Sequence, residues 1–174
     1  MATRNLTMVV HRRHAEDTEL GFAEVPAWFS DKSYVNMYLH HDGYPEWQGV
    51  QIANWLNANP GIDGSRLAAK LVHDMYYDSC YLYADPAHID HHYTYIIFTG
   101  KTDIWISYYD NDTSRNVLVY KPDDIIKKYK DDMDYTDFAN GETRYMENNK
   151  SKKVQLSLDN AKKIVDILTD SFTN

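Results

Sequence analysis

Cysteine is all but missing from this 174-residue chain. Cys80 is the single one, which excludes an internal disulfide. It falls in a short aromatic run, Cys80-Tyr81-Leu82-Tyr83, and is expected to be buried and inert. Long apolar runs are missing too. Nothing approaches the roughly 18 residues of a membrane-spanning helix. The basic residues near the start are not followed by the apolar stretch of a secretory leader. The expected compartment is the cytoplasm. Positive charge is in deficit, with 18 Lys and Arg against 26 Asp and Glu, a net charge of −8. That balance works against a long-range field for nucleic-acid phosphates. Neither a membrane nor extended nucleic acid is expected as a partner. Recognised catalytic motifs are lacking: there is no G-x-S-x-G and no H-E-x-x-H. Thr99-Gly100-Lys101-Thr102 looks like the tail of a phosphate-binding loop. The first glycine of that motif would fall at Tyr95, however, and the segment joins two strands, so it reads as a hairpin turn. No cofactor is expected.

Aromatic side chains are abundant. Fifteen tyrosines and four tryptophans raise the aromatic share to 14%. They supply apolar area with a polar handle, for a core or for stacking on a ring-bearing ligand or a partner protein. Apolar periodicity places them on a chain of alternating character. Leu6–Val10 and Tyr34–His40 read as strands. Pro45 to about Asn57 reads as a helix, with Ile52, Trp55 and Leu56 on one face, ended by Asn59-Pro60-Gly61. A second helix runs from an N-capping Ser65 to about Tyr77, with Leu67, Leu71 and Met75 every fourth residue. Strands follow at Cys80–Ala84, Tyr93–Thr99, Asp103–Tyr109 and Asn116–Tyr120. In the Asp103 strand, Ile104 and Ile106 face one way and Trp105 the other. A short helix opens at Pro122-Asp123-Asp124. Residues 130–153 read as a polar surface loop, and a closing helix carries a stripe through Ala161, Ile164, Val165, Leu168 and Phe172. The chain is expected to be one α+β domain over residues 1–174, an antiparallel β-sheet with helices packed mainly on one face.

Eight histidines invite a metal reading. His40-His41-Asp42 and His88-Ile89-Asp90-His91-His92 contain ligand types but no established spacing. Adjacent strand histidines point to opposite faces, so only one of His40 and His41 could serve a given site. His11-Arg12-Arg13-His14 could form an anion-binding edge. A metal-dependent hydrolase built on His40, Asp42 and the histidines near residue 90 is therefore one function to weigh. No metal ligand is assigned.

The most informative stretch is Tyr38 to Trp47. A β-rich run ends in His40, His41 and an Asp42-Gly43 turn, and Pro45 then starts a helix. Asp42 could cap that helix and hydrogen-bond His40. The stretch is a folding joint by one reading and a wall of a binding site by another, with a helix N-terminus that favours an anion. Its pattern, Tyr38-x-His40-x-Asp42-Gly43-Tyr44-Pro45 with Gly49 beyond, resembles a family of small phage and bacterial proteins. Their usual form is Y-x-H-W-D-G-Y-P; here His41 stands in place of the tryptophan. The resemblance covers residues 1 to about 56 and implies a phage or prophage setting without specifying chemistry.

These features lead to an expectation of action by binding. A phage-encoded accessory protein would counter a host defence by sequestering a small nucleotide-type signal. The binding residues would be His40, Asp42, Tyr44, Trp47, Arg66, Lys70, Tyr81 and Tyr83: rings for stacking and cations for charge-assisted hydrogen bonds. The alternative is a protein inhibitor whose acidic, aromatic surface meets a host protein. A homo-oligomer fits either reading, because exposed aromatics suit interfaces.

Overall fold

The computed structural model describes residues 3–10, 33–75, 80–86, 89–99, 103–110 and 114–129, together with 162, 163, 165, 166 and 169. In chain order the strands are β1 (Asn5–Val10), β2 (Ser33–Leu39), β3 (Cys80–Tyr83), β4 (Tyr93–Phe98), β5 (Ile104–Asp110) and β6 (Ser114–Tyr120). Helices α1 (Val50–Ala58) and α2 (Gly64–Met75) lie between β2 and β3, and α3 (Pro122–Tyr129) follows β6. The architecture is α+β, as the sequence pattern predicts.

Among the described residues the sheet has six strands, in the order β3-β2-β1-β4-β5-β6. It is mixed rather than wholly antiparallel. Central strands β1 and β4 are parallel, from Asn5 opposite Tyr93 to Val10 opposite Phe98. The other four neighbouring pairs are antiparallel. Short turns do fix β4–β5 and β5–β6 as antiparallel. The β1–β4 pair joins strands far apart in sequence, and no local signal carries its direction.

Alternation along the strands sorts side chains to two faces. Val9, Met37, Leu39, Tyr95, Ile97, Ile104, Ile106 and Leu118 pack with Ile52 and Ala53 of α1, Leu67, Ala68, Leu71 and Met75 of α2, and Ile125 of α3. The described helices thus share one face, and Ile104 and Ile106 do point opposite to Trp105. The second face is closed as well: Leu6, Met8, Ile96, Phe98 and Trp105 are buried. Each buried aliphatic side chain contributes roughly 1.5–3 kcal/mol. Cys80 is buried, on the helix face.

Two helix starts differ from expectation. Asp63 rather than Ser65 serves the start of α2, its carboxylate accepting a hydrogen bond from the Gly64 N–H at 2.6 Å. The helix begun at Pro45 opens as a five-residue π-helical turn, Pro45–Gly49, before α1. Its N-cap is Tyr44, with no side-chain cap, so Asp42 does not cap it. The chain reverses just before, at Asp42, which adopts the left-handed conformation at φ 53°. Of the closing stripe, Val165 is helical and buried. Ala161, Ile164, Leu168, Phe172 and the 130–153 segment lie outside the described residues, as do His11 to His14 and His88.

Candidate functional site

The antiparallel register of β2 with β3 puts Tyr81 opposite Tyr38 and Tyr83 opposite Asn36. Tyr38, Tyr81 and Tyr83 therefore project from the second face, away from the helices. Their rings gather around Tyr38: the Tyr81 centroid is 6.2 Å away and the Tyr83 centroid 6.0 Å, edge-on. Tyr38 itself is nearly closed off, whereas Tyr81 is 55% and Tyr83 43% exposed. Tyr34, on the same face of β2, is exposed as well.

His40 completes the group. Its Nδ1 is 2.8 Å from the Tyr38 hydroxyl, and its ring centroid is 6.0 Å from that of Tyr38. The expected His40–Asp42 hydrogen bond is replaced by this one. His40 and His41 do not point apart either: their rings meet edge-to-face at 4.8 Å. Strand β2 ends at Leu39, so strand alternation does not govern the next two residues. Burial raises the Tyr38 phenol above its ordinary pKa, and the Arg4 guanidinium opposes that rise. Arg4, one residue before β1, forms an ion pair with Asp90 at 2.6 Å. Tyr38→Phe should remove the hydroxyl bond to His40 at a cost of about 1 kcal/mol while the fold persists. A change in the His40 ring chemical shifts by NMR, with circular dichroism unchanged, is the expected readout.

The remaining predicted residues fall elsewhere. Tyr44 lies beyond the turn, its ring 6.1 Å from Tyr93, which stacks in turn near Tyr108 at 6.0 Å. Tyr93 belongs to the helix face. Trp47 projects from the π-helical turn, 54% exposed. Asp42 is exposed at the turn. Arg66 and Lys70 sit on α2, across the sheet from Tyr81 and Tyr83. Lys70 is paired with Asp74 at 2.6 Å. The same carboxylate accepts from the Trp55 indole and is held below the usual carboxylate range, first by Lys70 and then by His73 and Trp55. The eight residues therefore divide: His40, Tyr81 and Tyr83 gather around Tyr38, while the α2 cations do not join them. Among the described residues, Arg4 is the cation whose charge acts on Tyr38. Sequence reasoning overlooked it because it precedes the strand that places it.

Histidines 91 and 92 are used locally. His91 contacts the Ile89 carbonyl and the Thr94 hydroxyl, and His92 Nδ1 accepts from the Arg4 backbone N–H. Among the described residues, no three His, Cys, Asp or Glu side chains converge on a point that could hold a metal. No described helix is long and apolar enough to cross a membrane. The molecule is thus an α+β protein with a mixed six-stranded sheet and an exposed ring face at one edge. Comparison with protein-family models, curated proteins and solved structures finds no match.

Proposed function

We propose that this protein acts by binding, and that the ring face around Tyr38 receives a small nucleotide-type ligand. The observation that carries the reading is the pair of exposed phenols, Tyr81 and Tyr83, flanking Tyr38, whose own phenol feels the charge of the Arg4 guanidinium. A flat base can stack on such rings, and a phosphate can exchange places with Asp90 on Arg4. That exchange is inexpensive, because Asp90 is exposed and exposed ion pairs contribute about 0–1 kcal/mol. Base stacking on an aromatic side chain contributes about 1–3 kcal/mol, so the rings rather than the charge dominate. The resemblance of the Tyr38–Gly49 pattern to small phage proteins supports a phage setting; within it, the protein would counter a host defence in the host cytoplasm by withholding a nucleotide signal.

Calorimetry of the full chain against a panel of cyclic and linear nucleotides tests this. Tyr81→Ala and Tyr83→Ala should each weaken binding about tenfold, whereas Arg66→Ala should leave it unchanged. Unchanged affinity in both tyrosine variants would sink the ring face as the site. Ligand recovered intact after denaturation supports sequestration, and converted product supports an enzyme instead. The second reading, an inhibitor of a host protein, draws on the exposure of Leu82 on the other face of the same strand. Absence of nucleotide binding, with loss of host-protein capture on Leu82→Lys, would favour it.

A further inference from the structure

Strand β3 ends the sheet, and among the described residues no strand pairs with its outer side. Edge strands usually carry charge, proline or a bulge that keeps them single. At the opposite edge, β6 has Arg115 in its sequence and runs into Lys121. Cys80–Tyr83 has none of these devices. It contains none of the chain's 26 acidic and 18 basic residues. Its three outer residues are all large and exposed: Tyr81 and Tyr83 on one face, Leu82 on the other at 54%.

We infer that β3 pairs antiparallel with β3 of a second copy of this chain, about a two-fold axis through Leu82. Two observations select a copy as the occupant. A molecule of net charge −8 repels its like except where the approaching surfaces are neutral, and β3 is such a surface. Tyr81-Leu82-Tyr83 reads the same in both directions, so the two-fold pairing sets Tyr81 against the partner's Tyr83, a favourable aromatic cross-strand pair.

The pairing joins two six-stranded sheets into one and lays two ring faces side by side. The seam then presents tyrosines from both copies to one ligand. That last point rests on the nucleotide reading; the pairing does not.

Sedimentation equilibrium of the full chain without ligand should show a dimer. Leu82→Lys and Leu82→Glu each place like charges opposite one another on the axis, and each should raise the dimer dissociation constant by at least about tenfold. Mixing the two variants should restore association as a one-to-one heterodimer. Both substitutions are at an exposed side chain, so circular dichroism should remain that of the wild type. A monomeric wild type overturns the inference, as do variants that still dimerise or a mixture that stays monomeric. Failure of nucleotide binding would leave this result untouched, because no ligand enters the measurement.

Discussion

Raised above pH 10, the protein should unfold steeply. Four tyrosines on the helix side of the sheet are held above the ordinary phenol pKa of 10, in each case chiefly by burial. They are Tyr93, Tyr95, Tyr129 and Tyr120, the last pushed up to about 12. The Glu46 carboxylate adds to the rise at the first three. In the unfolded chain these phenols ionise near 10. As pH climbs past that value the unfolded state therefore binds fewer protons than the folded one, and stability falls. The contribution is complete below pH 10 and is lost between there and the folded values. Each phenol supplies a slope of at most about 1.4 kcal/mol per pH unit. Four together approach about 5 kcal/mol per unit, against a typical total stability of about 5–15 kcal/mol. Loss of the circular dichroism signal should thus coincide with tyrosinate absorbance between about pH 10.5 and 12. Lysine titration in the same range is separated by the double variant Tyr120→Phe/Tyr129→Phe, which removes two phenols and should move the midpoint to higher pH. A native spectrum retained to pH 12 would show that burial of these rings is not what holds their protons.

Most of this frame was legible in the sequence because its signals are local. Alternation in Ile104-Trp105-Ile106 and the fourfold spacing of Leu67, Leu71 and Met75 each assign a face from a few neighbouring residues. Each of the described strands and helices lies within a few residues of its expected place. What was not legible depends on contacts between distant segments. The parallel pairing of β1 with β4 is decided by the crossover after β3, and no short window records it. The binding constellation failed in the same way. Arg66 and Lys70 are cations at a convenient spacing on an amphipathic helix, but α2 packs on the face opposite Tyr81 and Tyr83. Arg4 acts on the Tyr38 phenol because β1 lies next to β2, a fact of sheet order. His40 escaped strand alternation because β2 stops one residue before it. Tyr81 and Tyr83 were identified from their type alone. The register opposite Asn36 and Tyr38 is what gathers them.

Replacing Gly43 with alanine should be among the most damaging single changes in the chain. The glycine stands in the reversal between β2 and the π-helical turn, where the chain presses on the entry to β1. Its N–H donates to the Thr3 carbonyl at 2.8 Å, and its own carbonyl accepts the buried Tyr95 hydroxyl at 2.8 Å. A Cβ at this position would lie 2.7 Å from the Thr3 carbonyl oxygen, 2.9 Å from the Asn5 Cβ and 3.0 Å from the Arg4 carbonyl carbon. Two of these are backbone atoms, and the third is fixed to a backbone hydrogen-bonded on both sides. None can swing aside as the tip of a flexible side chain would. Relief has to come from moving the turn, which stretches both hydrogen bonds and pulls the Tyr95 hydroxyl from the Gly43 carbonyl. Overpacking of about 1–3 kcal/mol combined with a weakened buried hydrogen bond of about 1 kcal/mol gives a loss of about 2–4 kcal/mol. Urea unfolding should show it as a lower midpoint with an unchanged slope. Gly61→Ala provides the comparison. That glycine has φ 75° but open space around it, so alanine there meets conformational strain of about 1 kcal/mol and no contact. Asp42→Gly, in the same reversal, should be neutral or slightly stabilising, since Asp42 already occupies the left-handed region. If Gly43→Ala costs no more than Gly61→Ala, the turn yields more readily than the packing at Thr3 and Asn5 requires. The pattern's glycine would then serve something other than this joint.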